Sequence, residues 1–103
     1  MNQTTSYLLS IDQGTTSTRA VVYDAAGRCL GSAGRELTQH YPQPAWVEHD
    51  AEEIWDSVGE VVALALADAH IESTQLRAIG LTNQRETVVL WDRASGRPLA
   101  RAR

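Results

Sequence analysis

Two short apolar runs, Tyr7-Leu8-Leu9-Ser10-Ile11 and Arg19-Ala20-Val21-Val22-Tyr23, flank the polar segment Asp12-Gln13-Gly14-Thr15-Thr16-Ser17-Thr18. This pattern constrains the fold more than any other feature. Each run has the length and β-branched content of a buried strand, and the segment between is too short and too polar for a helix. Asp24-Ala25-Ala26-Gly27-Arg28 then reads as a tight hairpin loop with Gly27 in the left-handed position. Cys29 to Leu37 returns as a third strand, punctured by Gly31 and Gly34 and so expected to be twisted or bulged. Three strands on short loops predict an antiparallel meander.

Tyr41-Pro42-Gln43-Pro44-Ala45-Trp46 is a turn-rich connection that should hold no helix. Asp50-Ala51-Glu52-Glu53 has the form of a capping box, with Asp50 at the N-cap and Glu53 at the third helical position. Ile54, Trp55, Val58, Val61, Val62, Ala65 and Leu66 follow at helical spacing and predict a core stripe that includes Trp55. Gly59 inside that helix signals either close packing or plain tolerance. After a short connection at Ser73-Thr74, Ala78-Ile79-Gly80-Leu81-Thr82 predicts a fourth, buried strand, and Thr87-Val88-Val89-Leu90-Trp91 a fifth. The order β-β-β-α-β-β makes the helix a crossover, which places the fourth strand parallel in the same sheet. The fold class is therefore α/β. Residues 1–6 read as a flexible lead-in and 99–103 as the end of an unfinished layer.

Composition narrows the chemistry. The 103 residues are 43% hydrophobic, ordinary for a globular chain, with a net charge of −4. No apolar run approaches the roughly 18 residues of a membrane span, and the first residues lack the basic start of a signal peptide. A single Cys29 excludes an internal disulfide and a zinc quartet, which makes a cytoplasmic setting the default. All nine cations are Arg, so a Walker A loop, which needs Lys, is excluded, as is Schiff-base chemistry within these residues. Acids crowd Glu36 to Glu72 and arginines Arg77 to Arg103. The arginines are scattered without an aromatic ladder, which favours loops and strand ends over nucleic-acid binding.

A phosphate site without Lys must use other donors. A tight turn at Gly14 can offer backbone N–H groups and the hydroxyls of Thr15, Thr16 and Ser17, with Arg19 adding a permanent charge. Asp12, at a strand end, is placed to hold Mg²⁺ through water beside those oxygens. The same residues would also serve a plain polar hairpin capping its own backbone. In Thr82-Asn83-Gln84-Arg85-Glu86-Thr87, Arg85 and Glu86 offer a donor fork and an acceptor pair suited to neighbouring hydroxyls, or a solvated turn ion pair. His40, His49 and His70 lack metal-ligand spacing, and His49 reads as simply preceding a helix cap. Trp46 either lines a pocket or pins its loop.

Asp12-Gln13-Gly14-Thr15-Thr16-Ser17-Thr18-Arg19-Ala20-Val21 resembles the first phosphate loop of the FGGY carbohydrate kinases, within the actin/hexokinase-type ATPase superfamily. Gln13, Tyr41-Pro42-Gln43-Pro44-Ala45-Trp46-Val47-Glu48-His49-Asp50 and Thr82-Asn83-Gln84-Arg85-Glu86-Thr87 together look like the branch of that family that phosphorylates glycerol. The resemblance spans about Tyr7 to Pro98. It implies a ribonuclease H-like N-terminal domain and ATP-dependent formation of sn-glycerol 3-phosphate. It also implies that Asp12 is the Mg²⁺-associated carboxylate and that Gly14, Thr15, Thr16, Ser17 and Arg19 lie around the ATP phosphates. Arg85 and Glu86 would hold glycerol, and the parent enzyme would be a homo-oligomer. Family members are several times longer, so the general base and the adenine site are expected beyond Arg103. The remainder of the parent chain is thus an expected partner, and the 103 residues alone are expected to be inactive. The alternatives are a kinase of another polyol or sugar and a non-kinase nucleotide-binding module of the same superfamily.

Overall fold

The computed structural model describes residues 6–42, 48–84, 89, 91–98 and 101. Among these residues four strands form one mixed sheet: β1 (Tyr7–Gln13), β2 (Ser17–Asp24), β3 (Cys29–Glu36) and β4 (Leu76–Thr82), in the order β3-β2-β1-β4. β1 pairs antiparallel with β2, and β2 with β3, as the two short polar connections require. The helix α1 (Ala51–Ala69) carries the chain across, and β4 pairs parallel with β1 as a crossover predicts. The fifth expected strand, Thr87–Trp91, falls largely outside the described residues; within it, Trp91 forms an isolated bridge with Pro98.

Local chemistry fixes the corners. Asp24 Oδ1 accepts the N–H groups of Ala26 and Arg28, Oδ2 accepts Arg28 Nε at 2.8 Å, and Gly27 turns the loop at φ +84°. The backbone N–H of Arg28, then its guanidinium and the Ala26 N–H, hold the Asp24 carboxyl below the usual carboxylate range. Asp50 caps α1 by accepting the N–H groups of Glu52 and Glu53. The expected partner half of that box goes elsewhere: Glu53 Oε2 reaches across to Thr38 Oγ1 at 3.0 Å. At the other end, the Ile71 N–H bonds back to Leu66 O and the His70 N–H to Ala67 O, with His70 left-handed at φ 60°.

The core lies between α1 and one face of the sheet, built on Leu9, Ile11, Ala20, Val22, Val61 and Ala65. Alternation along β1 puts Leu9, Ile11 and Gln13 inside and Leu8 and Asp12 outside. The expectation of a fully buried strand is therefore corrected, because among the described residues α1 covers one face only. α1 is held over β3 by Arg35, which pairs with Glu60 at 3.1 Å and Glu53 at 3.8 Å, and by Asp68, which accepts the Ser32 N–H. β4 lies on the far side of β1, beyond the helix. Ile79 and Leu81 are consequently 60% and 69% exposed, which corrects the reading of β4 as buried.

The helical stripe is rotated from its expected position. Ser57, Val61 and Ala65 are its buried line, flanked by Val58, Val62 and Leu66. Trp55 is 75% exposed and lines an open groove with Val89, Trp91 and Pro98 instead of entering the core. The close glycine approach also lies elsewhere. A Cβ on Gly59 would meet nothing within 4 Å, whereas one on Gly31 would stand 2.6 Å from Ala69 N and 2.9 Å from Ala65 O. Gly31 lets the sheet touch the helix backbone, and Gly59 is merely tolerated.

Candidate functional site

The turn between β1 and β2 sits at the C-terminal ends of the parallel pair β1 and β4, where open α/β sheets place their ligands. Asp12 lies opposite Arg19 on β2 and opposite Thr82 on β4. Cross-strand partners share a face, so a carboxylate, a guanidinium and a hydroxyl stand in one exposed row on the side away from α1. Gln13 and Thr18, one residue nearer the turn on each strand, face the helix side and are buried.

The turn itself is tight. The Gly14 N–H donates to Ser17 O at 2.9 Å, and a Cβ at Gly14 would approach Ser17 O to 3.3 Å. Three consecutive carbonyls are tied down. Gly14 O accepts from Gln13 Nε2 at 2.8 Å and from Gln84 Nε2 at 3.0 Å. Thr15 O meets His49 Nε2 at 2.7 Å. Thr16 O accepts the Leu37 N–H at 2.9 Å. In a planar trans peptide, C=O and the following N–H point in opposite directions, and the described residues contain no cis bond. Each anchored carbonyl therefore turns the N–H of Thr15, Thr16 or Ser17 away from its anchor. The side chains of these three residues are exposed. Such an array of amides, hydroxyls and a nearby arginine is suited to an anionic oxygen-rich group, phosphate above all.

Three contacts around this turn have no simple sequence signal. His49 is 4% exposed and reaches back 34 residues to Thr15, so its reading as a mere neighbour of the helix cap is incomplete. Gln84 Nε2 also donates to Gln13 Oε1 at 3.0 Å, joining the second polar segment to the first. Thr18 Oγ1 and Ser57 Oγ meet at 2.7 Å inside the core. Arg85 and Glu86 lie outside the described residues. Among the described residues no group of three or more His, Cys, Asp or Glu side chains is gathered to cage a metal. A single exposed Asp12 beside such a turn suits Mg²⁺, which keeps most of its waters and takes one or two carboxylates together with phosphate oxygens.

A mixed sheet with a helix on one face, and a tight turn at the C-terminal ends of its parallel pair, defines an α/β protein of the ribonuclease H-like type. The profile of the FGGY family of carbohydrate kinases, N-terminal domain, matches residues 7–103. The chain belongs to this family. It is 57% identical over 96 residues to a glycerol kinase of Bordetella pertussis and 58% identical over 96 residues to one of Alcanivorax borkumensis. Each match covers 93% of this chain and 19% of the relative, so the chain spans about a fifth of those proteins. Among solved structures it superposes on Plasmodium falciparum glycerol kinase with ADP at TM-score 0.80 and 35% identity, over 95% of this chain and 20% of that one. A gluconate kinase from Lactobacillus acidophilus superposes at TM-score 0.84 with 22% identity, over 96% of this chain and 19% of that one, and this shows the shared fold.

Proposed function

We propose that the chain is the phosphate-binding N-terminal layer of an ATP-dependent glycerol kinase, which transfers the γ-phosphoryl group to glycerol and forms sn-glycerol 3-phosphate. The observation that carries this reading is 57% identity to a glycerol kinase across 93% of the chain. The turn's geometry supports it. Phosphoryl transfer asks a protein chiefly for positioning and charge neutralisation. Gly14, the amides and hydroxyls of Thr15, Thr16 and Ser17, and Arg19 meet that need around the ATP phosphates. Asp12 would hold Mg²⁺ through water, and the ion, when bound, would neutralise phosphate charge. Arg85 and Glu86 would grip the hydroxyls of glycerol, a fork of donors beside a pair of acceptors.

The same reading places the enzyme in the cytoplasm, consistent with ATP as donor and with a lone, free Cys29. It also makes the rest of a longer polypeptide the nearest partner and a homo-oligomer the working form. The test is ATP consumption by the full-length enzyme carrying this chain, with glycerol, xylulose and gluconate offered as acceptors. Glycerol is expected to give at least about tenfold higher kcat/KM than either alternative, a difference of about 1.4 kcal/mol in transition-state binding. A preference for xylulose or gluconate overturns the assignment.

A further inference from the structure

We propose that His49 is a positioning residue for the phosphate-binding turn, acting through the Thr15 carbonyl to orient the Thr16 amide. The inference rests on the kinase reading and adds to it a residue from outside the turn. His49 Nε2 lies 2.7 Å from Thr15 O. A carbonyl oxygen only accepts, so Nε2 carries the hydrogen and donates it. The ring is almost wholly buried, which keeps water from competing for that carbonyl.

The backbone on either side of His49 is fixed independently. Glu48 and His40 exchange N–H and C=O bonds, both at 2.8 Å, and Asp50 is the N-cap of α1. The ring is thus mounted between a β-bridge and a helix start, and the turn is fastened to that mount.

The consequence follows from the peptide plane. Holding Thr15 C=O toward His49 aims the Thr16 N–H the other way, and that amide has no partner among the described residues. Were the anchor lost, the 15–16 peptide could rotate. Its carbonyl would then face the phosphate oxygens and repel them, where the amide would attract them. The neighbouring peptides keep their own anchors, Gln13 and Gln84 on Gly14 O and the Leu37 N–H on Thr16 O. The 15–16 peptide has His49.

The experiment uses the full-length enzyme with two substitutions that separate shape from donor. His49→Phe keeps a ring and removes the N–H; His49→Gln keeps an N–H donor at about the same reach. Thermal melting and circular dichroism report folding, and steady-state kinetics with ATP and glycerol varied in turn report function. His49→Phe is expected to lower kcat/KM for ATP at least about tenfold while KM for glycerol stays within about twofold. His49→Gln is expected to recover most of the loss. A folded His49→Phe enzyme with unchanged ATP kinetics overturns the proposal, as does a folded His49→Gln enzyme as impaired toward ATP as His49→Phe. If His49→Phe fails to fold, His49→Gln decides alone: near-normal ATP kinetics support the anchor, and a tenfold loss overturns it. An unsubstituted enzyme without glycerol-dependent ATP turnover refutes the kinase reading itself, a result distinct from active variants that ignore position 49.

Discussion

The hydroxyl of Thr18 is fully buried between sheet and helix, and its partner is Ser57 Oγ at 2.7 Å. Ser57 Oγ also donates to Ile54 O one turn back in α1. Its only hydrogen is spent there, so Thr18 must donate to Ser57. Ser57→Ala would strand the buried Thr18 hydroxyl and should cost about 1–3 kcal/mol of unfolding free energy. Adding Thr18→Val, close in shape but without the hydroxyl, should restore at least half of that loss. Urea denaturation of the single and double variants checks both numbers, and strictly additive costs would contradict the shared hydrogen. At this scale legibility in the sequence divides sharply. The residues of the turn, Asp12 to Arg19, are readable because hydroxyls, a glycine and an arginine stand between two strands. Ser57 and His49 are not, since their partners lie 39 and 34 residues away. A polar residue inside the stripe Ile54, Val58, Val61 was the available signal for Ser57. His49 offered only its place beside the cap Asp50.

At the scale of the element, strand and helix boundaries follow from alternation, turn residues and the Asp50 cap, but the direction each element faces does not. An apolar strand such as β4 reads the same whether a helix covers it or not. The helical stripe likewise left a turn's freedom, and the structure spends it by burying Ser57 and exposing Trp55. The two glycines near this interface make the point testable. Gly31→Ala drives a methyl against the backbone of α1 at Ala69 and Ala65, atoms that cannot step aside like a side-chain tip. It should destabilise the layer by about 1–3 kcal/mol. Gly59→Ala meets open space in a regular helix and should stabilise it by up to about 1 kcal/mol. Opposite shifts in denaturation midpoint are expected from the same chemical change. Equal shifts would mean that the helix does not rest on Gly31.

For the molecule as a whole, the position of α1 decides how the chain behaves in solution. The helix lies over β2 and β3, where Arg35 and Asp68 fasten it, and β4 extends past its cover. Register settles which side of β4 is involved: Ile79 and Leu81 are the partners of Leu9 and Ile11, so they share the core face yet stand mostly in solvent. On the opposite face Leu8, Ser10, Tyr23, Ala78 and Gly80 line an open, largely apolar hollow. Among the described residues β4 is also an edge strand, with one row of backbone donors and acceptors unpaired in the sheet. Apolar surface on two faces beside a free edge favours association. The 103-residue chain on its own is therefore expected to self-associate as its concentration rises, which sedimentation velocity would show as a shift to larger species. Ile79→Lys with Leu81→Lys should reverse that shift by placing charge on the exposed strand, without touching the buried cluster of Leu9, Ile11 and Val61. A monodisperse monomer of the unsubstituted chain at all concentrations would show that the uncovered strand is not sticky, and that the layer tolerates its open side.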